Sequence, residues 1–355
     1  MTVGIGLIGC GLVTQHLHIP ALAQLSDRFR IAALHDASPT VLRGVAGRLP
    51  GAAPHDSVKA LLADPDVRAV LVASPSALHG PHAVAAMQAG KHVLIEKPMC
   101  LTVEEADLLA TTARETGATV QIGYMRRHTP AFHDAAHLVA AMQGGINMAR
   151  LREIIGPNSA FVDPTAAIIT GNDVPKYLHD EVSRATKAAA IAVAGTDEGP
   201  RAFVHNLLLG LSTHSLSTMR GVLGMPKAVI SARHRREGRF LQVDFDYGDF
   251  ICHFETGVDQ IARFDACLEV MNDTRIVRLD YDSPFIRHHP ARLHMKDAAG
   301  SGVTETTMQP PRQDAFVGEW LAFHQALSGE EVQTDIADAT EDMILINQIM
   351  ARFLD

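Results

Sequence analysis

Along the early part of the chain, short β-branched apolar blocks alternate with stretches whose apolar residues recur at helical spacing. Val3 to Ile8 is the first block and closes on Gly9; helical spacing then runs from about Leu12 to Leu25. Phe29 to Leu34 ends at His35 and Asp36 and leads into a helix pattern through Arg48. Val67 to Ala73, His92 to Ile95 and Thr119 to Tyr124 are further strand candidates. Between them lie helix candidates over Pro81 to Ala89 and Thr102 to Thr116, the second opened by a Thr102/Glu105 capping box. Apolar blocks without polar alternation suit strands covered on both faces, and their alternation with helices means βαβ units around a parallel sheet. An α/β Rossmann domain, doubly wound, is therefore predicted over residues 1–124.

The pattern then changes. Pro130 to Met142 predicts a helix and Met148 to Ile155 a strand. Residues 156–201 form a long insertion with a helix near Tyr177 to Val193, expected to act as a lid shaping the substrate pocket. From Lys227 the apolar residues alternate with period two, over Lys227 to His234, Phe240 to Tyr247, Phe250 to Thr256, Phe264 to Met271 and Arg275 to Tyr281. Gly248-Asp249 and Asn272-Asp273 mark hairpin turns. Residues 125–355 are thus expected to form a C-terminal α+β substrate domain with a large, mainly antiparallel open sheet. Its last helices, Phe316 to Leu327 and Ala337 to Phe353, are available to pack back on the first domain. The open sheet face predicts a homodimer or homotetramer.

Composition narrows the function classes. A formal charge of −9 argues against a nucleic-acid partner, which needs a clustered basic surface. The one locally basic run, Arg233 to Arg239, falls between two strand candidates and suits a solvated loop. Four cysteines at positions 10, 100, 252 and 267 are too dispersed for a thiolate zinc site or a small disulfide framework, so reduced thiols in the cytoplasm are expected. The apolar start lacks a basic n-region, and no uncharged apolar run is long enough to span a bilayer. Histidine is abundant, with 19 residues, yet none sits in a metal-ligand frame such as His-Glu-x-x-His, so no metal is expected.

Gly9-Cys10-Gly11-Leu12-Val13-Thr14 stands where a strand meets a helix. A first glycine permits the tight turn, a second lets a pyrophosphate approach the backbone, and the helix N-terminus presents N–H groups and a positive dipole end to that anion. Thr14 takes the place of the usual third glycine. Asp36, at the end of the second strand, is placed to accept hydrogen bonds from the adenosine ribose hydroxyls or simply to cap the next helix. The carboxylate would repel a 2′-phosphate, which favours NAD over NADP as cofactor.

Three stretches, GCGLVTQHLHIPAL at 9–22, ASPSALHGPHAVAAMQAGKHVLIEKPM at 73–99 and GYMRRHTPAF at 123–132, resemble the glucose-fructose oxidoreductase/inositol dehydrogenase/MocA (Gfo/Idh/MocA) family, and THSLSTMRGVLGMP at 213–226 adds a weaker match. The resemblance covers nearly all of the first domain and part of the second. It implies a nicotinamide-dependent oxidoreductase acting on a secondary alcohol or ketone of a polyhydroxylated sugar, cyclitol or derivative.

Within that resemblance Glu96-Lys97-Pro98 is central, because it closes a strand at the carboxyl edge of the sheet. Lys97 is implied to stand beside the substrate hydroxyl and the nicotinamide. A cationic ring nearby, together with burial, would favour the neutral amine, able to accept the hydroxyl proton. Ser74, Pro75 and His79 are implied to border the nicotinamide ribose, and Arg127 to touch the cofactor or form an interdomain salt bridge. Tyr124, Arg126, His205 and Asn206 are expected near the substrate. His214 matches the histidine of the family's Asp-x-x-x-His motif, but Gly210 stands where the aspartate would be. His214 is therefore a general base, a hydrogen-bond donor or a packed helix histidine, with Asp173 and Asp180 as candidate replacements for the carboxylate. Two alternatives stay open: a non-catalytic dinucleotide-binding regulatory protein of the same fold, and an enzyme with tightly bound NAD whose net reaction is elimination, hydrolysis or epimerisation.

Overall fold

The uninterrupted apolar blocks become β1 (Val3–Ile8), β2 (Phe29–His35), β4 (Ala69–Val72), β5 (His92–Glu96) and β6 (Val120–Gly123), joined at one edge by the two-residue β3 (Ala53–Pro54). They form a parallel sheet in the order β3-β2-β1-β4-β5-β6, seen in a computed structural model that describes residues 2–309 and 311–354. Every residue of β4 and β6 is buried, as strands covered by helices on both faces require. The chain reverses its direction of travel across the sheet between β1 and β4, which opens a crevice at their carboxyl ends. The helix Val103–Thr116 keeps one half of the expected capping box, Thr102 Oγ1 accepting from Glu105 N, while Glu105 Oε2 accepts from Leu101 N, one residue before the cap, at 2.8 Å.

The chain divides into two compact units. The first contains residues 1–124, 166–189 and 316–343. Its later segments finish the sheet: Ile122 N donates to Thr334 O at 2.7 Å, and Thr334 Oγ1 donates back to Ile122 O at 2.8 Å. Backbone groups at the β6 edge are thereby paired rather than left open. Trp320, on the helix Ala315–Leu327, is fully buried against Phe29 and Phe323.

The second unit, residues 125–165, 190–315 and 344–355, holds a sheet of nine strands. They are β7 (Met148–Ile155), β8 (Ala228–Arg235), β9 (Phe240–Asp246), β10 (Ile251–Val258), β11 (Phe264–Met271), β12 (Arg275–Tyr281), β13 (Arg292–Ala299), β14 (Gly302–Met308) and β15 (Phe353–Leu354). The order is β14-β13-β12-β11-β7-β10-β9-β8-β15, antiparallel except where β7 meets β10 and β8 meets β15. Helices Pro130–Ala140 and Thr213–Leu223 pack on one face. The other face carries paired charges, among them Arg152 with Glu255 and Asp265, and Arg278 with Asp280.

The hairpin of β13 and β14 has no counterpart among the strand candidates. Nearly every position of β14 is exposed, so no buried side imposes an alternation on its residues. All four cysteines are free and buried. No helix among the described residues is long and apolar enough to cross a membrane.

Candidate functional site

The turn after β1 is built from backbone. Gly9 has φ +94°, and a Cβ there would lie 2.5 Å from Ala73 O, so only glycine fits between the ends of β1 and β4. Thr14, at the third position of the glycine motif, is fully buried and donates Oγ1 to Gly9 O at 2.8 Å. It replaces the missing glycine by tying the following helix to the turn. Gln15 N to Gly11 O, 2.9 Å, is the first backbone bond of that helix. The N–H groups just before it therefore face outward from the helix start. Asp36 accepts from Cys10 N and from Ser38 N, each at 2.8 Å, which fixes its carboxylate beside the turn.

Above this turn lies a cavity of about 470 Å3. Its base is Gly9, Gly11, Leu12, Val13 and Thr14. His35, Asp36 and Ala37 form one wall, and Ala73, Ser74, Pro75, Leu78 and His82 the other. The last side comes from the inserted segment, through Val174, Leu178, His179 and Val182. Residues 166–189 thus cover this cavity within the first unit, where the sequence suggested a wall of the substrate pocket. His82 Nδ1 lies 2.9 Å from Ser74 Oγ; burial, with His35 and His79 nearby, pushes its pKa down to about 4.

The end of β5 is organised by buried hydrogen bonds. Trp320 Nε1 donates to His18 Nδ1 at 3.1 Å, which leaves His18 Nε2 to donate to Glu96 Oε1 at 2.8 Å. Glu96 Oε2 accepts the backbone N–H of Lys97 at 3.0 Å. Burial alone would raise the Glu96 pKa, but the hydrogen bond from His18 and the nearby Lys97 charge outweigh it and hold the carboxyl below its usual range. The peptide bond from Lys97 to Pro98 is cis. His79, buried beneath, bridges Pro98 O and Ser74 O, each at 2.7 Å. It fastens the Lys97-Pro98 turn to the loop after β4 and does not line the cavity.

His18, Glu96 and Glu319 bring one ligand-type atom each within 4.8 Å of one another. Both ring nitrogens of His18 are already committed to Trp320 and Glu96, so the group reads as a hydrogen-bonded core.

In the second unit, Arg126 is a structural ion pair and not an open substrate contact. It is 4% exposed and donates to Glu153 Oε1 at 2.6 Å and to Ser215 Oγ at 3.1 Å, with its guanidinium 4.9 Å from the Tyr281 ring. Arg127 donates to Ser217 O and Oγ, both at 3.4 Å, and lies over the Phe132 ring. His205 is buried, and neither ring nitrogen has a hydrogen-bond partner among the described residues; desolvation brings its pKa down to about 4. Asn206 is exposed. His214 is half-buried on the helix Thr213–Leu223, and Gly210 one turn earlier has open space where a side chain would stand.

Tyr124 is buried at the end of the first unit. Of the candidate carboxylates for His214, Asp180 pairs with Lys176 at 2.6 Å and Asp173 with Ser38 and Thr40, so both are engaged within the first unit. Sequence reasoning singled out Glu96 and put the insertion at a pocket, but it missed the Trp320–His18 link to Glu96 and the particular insertion residues on this cavity.

Comparison with known proteins is consistent with this arrangement. Residues 3–124 match a family described as "Oxidoreductase family, NAD-binding Rossmann fold". Inositol 2-dehydrogenase 2 of Saccharopolyspora erythraea is 36% identical over 178 residues, covering 49% of this chain and 51% of that protein. Inositol 2-dehydrogenase of Paracoccus denitrificans is 30% identical over 231 residues, covering 63% of this chain and 66% of that one. The matched stretch spans about half the length of the first of these curated relatives. Among solved structures, KijD10, a 3-ketoreductase from Actinomadura kijaniata in complex with NADP and TDP-benzene, superposes with TM-score 0.76 at 20% identity over 100% of this chain and 99% of that one. UDP-N-acetylglucosamine 3-dehydrogenase GnnA from Acidithiobacillus ferrooxidans gives TM-score 0.73 at 21% identity, over 99% of this chain and 98% of that one. At such identities these two superpositions establish the fold.

Proposed function

Because the chain belongs to the Gfo/Idh/MocA oxidoreductase family, whose Rossmann region it matches over residues 3–124, we propose that it moves a hydride between a nicotinamide cofactor and a secondary alcohol or ketone of a sugar, cyclitol or related polyol. The observation that carries this reading is the cavity at the β1 turn, with a glycine that no other residue can replace and a carboxylate fixed beside it.

The residues present fit a dinucleotide. The open backbone at Gly11 to Val13 suits a pyrophosphate, and Asp36 suits ribose hydroxyls, with NAD preferred over NADP. When bound, the nicotinamide supplies the hydride acceptor or donor. Lys97 polarises the substrate hydroxyl and takes its proton in oxidation, returning it in reduction. Glu96 and His79 hold the backbone on either side of Lys97, so its stem leaves the sheet from a fixed point. His214 acts as a second acid–base group or as a donor to the substrate. Ser74 and Pro75 border the cofactor from the cavity wall, and the charged sheet face pairs with a second copy of the chain.

Incubating the purified protein with NAD and a panel of cyclitols and sugars tests the activity. Reduced cofactor should accumulate with at least one polyol and fail to do so for Lys97→Ala. Dinucleotide binding without hydride exchange for any substrate would instead favour a binding-only regulatory role. Gly210, which leaves His214 without the family's carboxylate, keeps that second reading in view.

A further inference from the structure

Several hydrogen bonds tie residues 167–173 of the inserted stretch to residues 15–48 of the first unit. Gln15 and Ile169 exchange two hydrogen bonds, Nε2 to Ile169 O and Ile169 N to Oε1, both at 2.9 Å. Arg48 Nη1 donates to Ala167 O at 2.9 Å. A few residues on, Asp173 reaches the start of the helix Pro39–Ala46. Its Oδ2 accepts from Thr40 Oγ1 at 2.7 Å and from Thr40 N at 3.1 Å, and its Oδ1 accepts from the Ser38 hydroxyl. Gly171 allows the approach, since a Cβ there would collide with Ser38 Oγ.

The donors that Asp173 consumes lie just beyond Asp36, which itself accepts from Ser38 N. A ribose seated on Asp36 would direct its 2′-oxygen toward this helix start. Hydroxyls and a backbone N–H at a helix N-terminus are what a 2′-phosphate would need for partners. In this chain a carboxylate from the insertion already holds all three. Asp173 is itself exposed, yet the hydrogen bonds from Ser38 and Thr40 keep it ionised by lowering its pKa.

We propose that Asp173 is a specificity-determining residue: an anion supplied by the chain itself that fills the 2′-phosphate position, so that NAD(H) is accepted and NADP(H) rejected. Asp36 acts on the ribose hydroxyls, whereas Asp173 removes the donors a phosphate would use and adds a like charge. The same contacts fasten the insertion over the cavity. This inference rests on the dinucleotide reading above, and the two fail in different ways.

Fluorescence titration with NADH and NADPH is the test, on the full chain and its Asp36→Ala, Asp173→Ala, Asp173→Asn and Asp36→Ala/Asp173→Ala variants. The wild type should prefer NADH. Both single Asp173 variants should narrow the NADH-to-NADPH affinity ratio by about tenfold, since removing a like charge relieves repulsion. The double variant should bind NADPH about tenfold more tightly than Asp36→Ala alone, because Asp36→Ala leaves Ser38 and Thr40 still occupied. A ratio unmoved by either Asp173 substitution, with NADH still bound, overturns the assignment and leaves the dinucleotide reading standing. A wild type that binds NADPH as tightly as NADH also overturns it. A wild type that binds neither overturns both.

Discussion

The two units present their chemistry in different ways. In the first, the base of the cavity is backbone at Gly9 and Gly11, set between the ends of β1 and β4 and walled by the end of β2 and the inserted segment. In the second, the polar groups are side chains drawn from separate elements, and several are spent on internal partners, as Arg126 is on Glu153. A site of main-chain atoms at a topological switch point is a consequence of the fold. A site of side chains has to be specified residue by residue, and Gly210 stands where the resembled motif has an aspartate.

The sharpest break in that comparison separates binding from chemistry. Lys97→Ala should lower turnover by about 10²- to 10⁴-fold, the range typical of a lost acid–base group, while dinucleotide affinity stays within about threefold. Turnover and titration on the same preparation check both halves. Next in size, Gly9→Val should weaken dinucleotide binding by at least about 100-fold, because a side chain meets Ala73 O and the +94° φ is closed to valine. Calorimetry reads the loss, and circular dichroism confirms that the fold survives.

In the second unit the expected effect is on stability. Arg126→Met leaves the Glu153 carboxylate buried without its cation, a change that costs about 3–5 kcal/mol and lowers the melting temperature by roughly 10 °C. Dinucleotide affinity should not move. Smallest is an acid effect. His205 has its pKa lowered to about 4 in the fold, so the unfolded chain takes up the proton more readily as pH falls below about 6.5. Stability contributed by neutral His205 is therefore present near pH 7, declines between pH 6.5 and 4, and changes no further below. Thermal unfolding across that range should show a shallower decline for His205→Gln than for the parent chain.

Legibility cut across the two units and followed how local each signal is in the chain. β7, β11 and β12 begin and end where the sequence pattern places them, since each buries one side and must alternate. The glycine turn was legible because its parts are neighbours in the chain. β3 left little trace, being two residues long and ending in Pro54 at the sheet edge, and β14 left none because almost nothing in it is buried. The Trp320–His18 bond joins residues 302 positions apart, and Asp173 meets Ser38 from a segment whose helical pattern says nothing of where it docks. Such contacts depend on how distant segments pack, which no local period encodes.

A crystal soaked with NADH puts the central claim to the most direct test. Difference density should place the pyrophosphate against the N–H groups of Gly11 to Val13, the ribose on Asp36 and the nicotinamide within reach of Lys97. A fully soaked crystal with clear density at the β1 turn for the protein alone, or with the dinucleotide bound elsewhere, would contradict it.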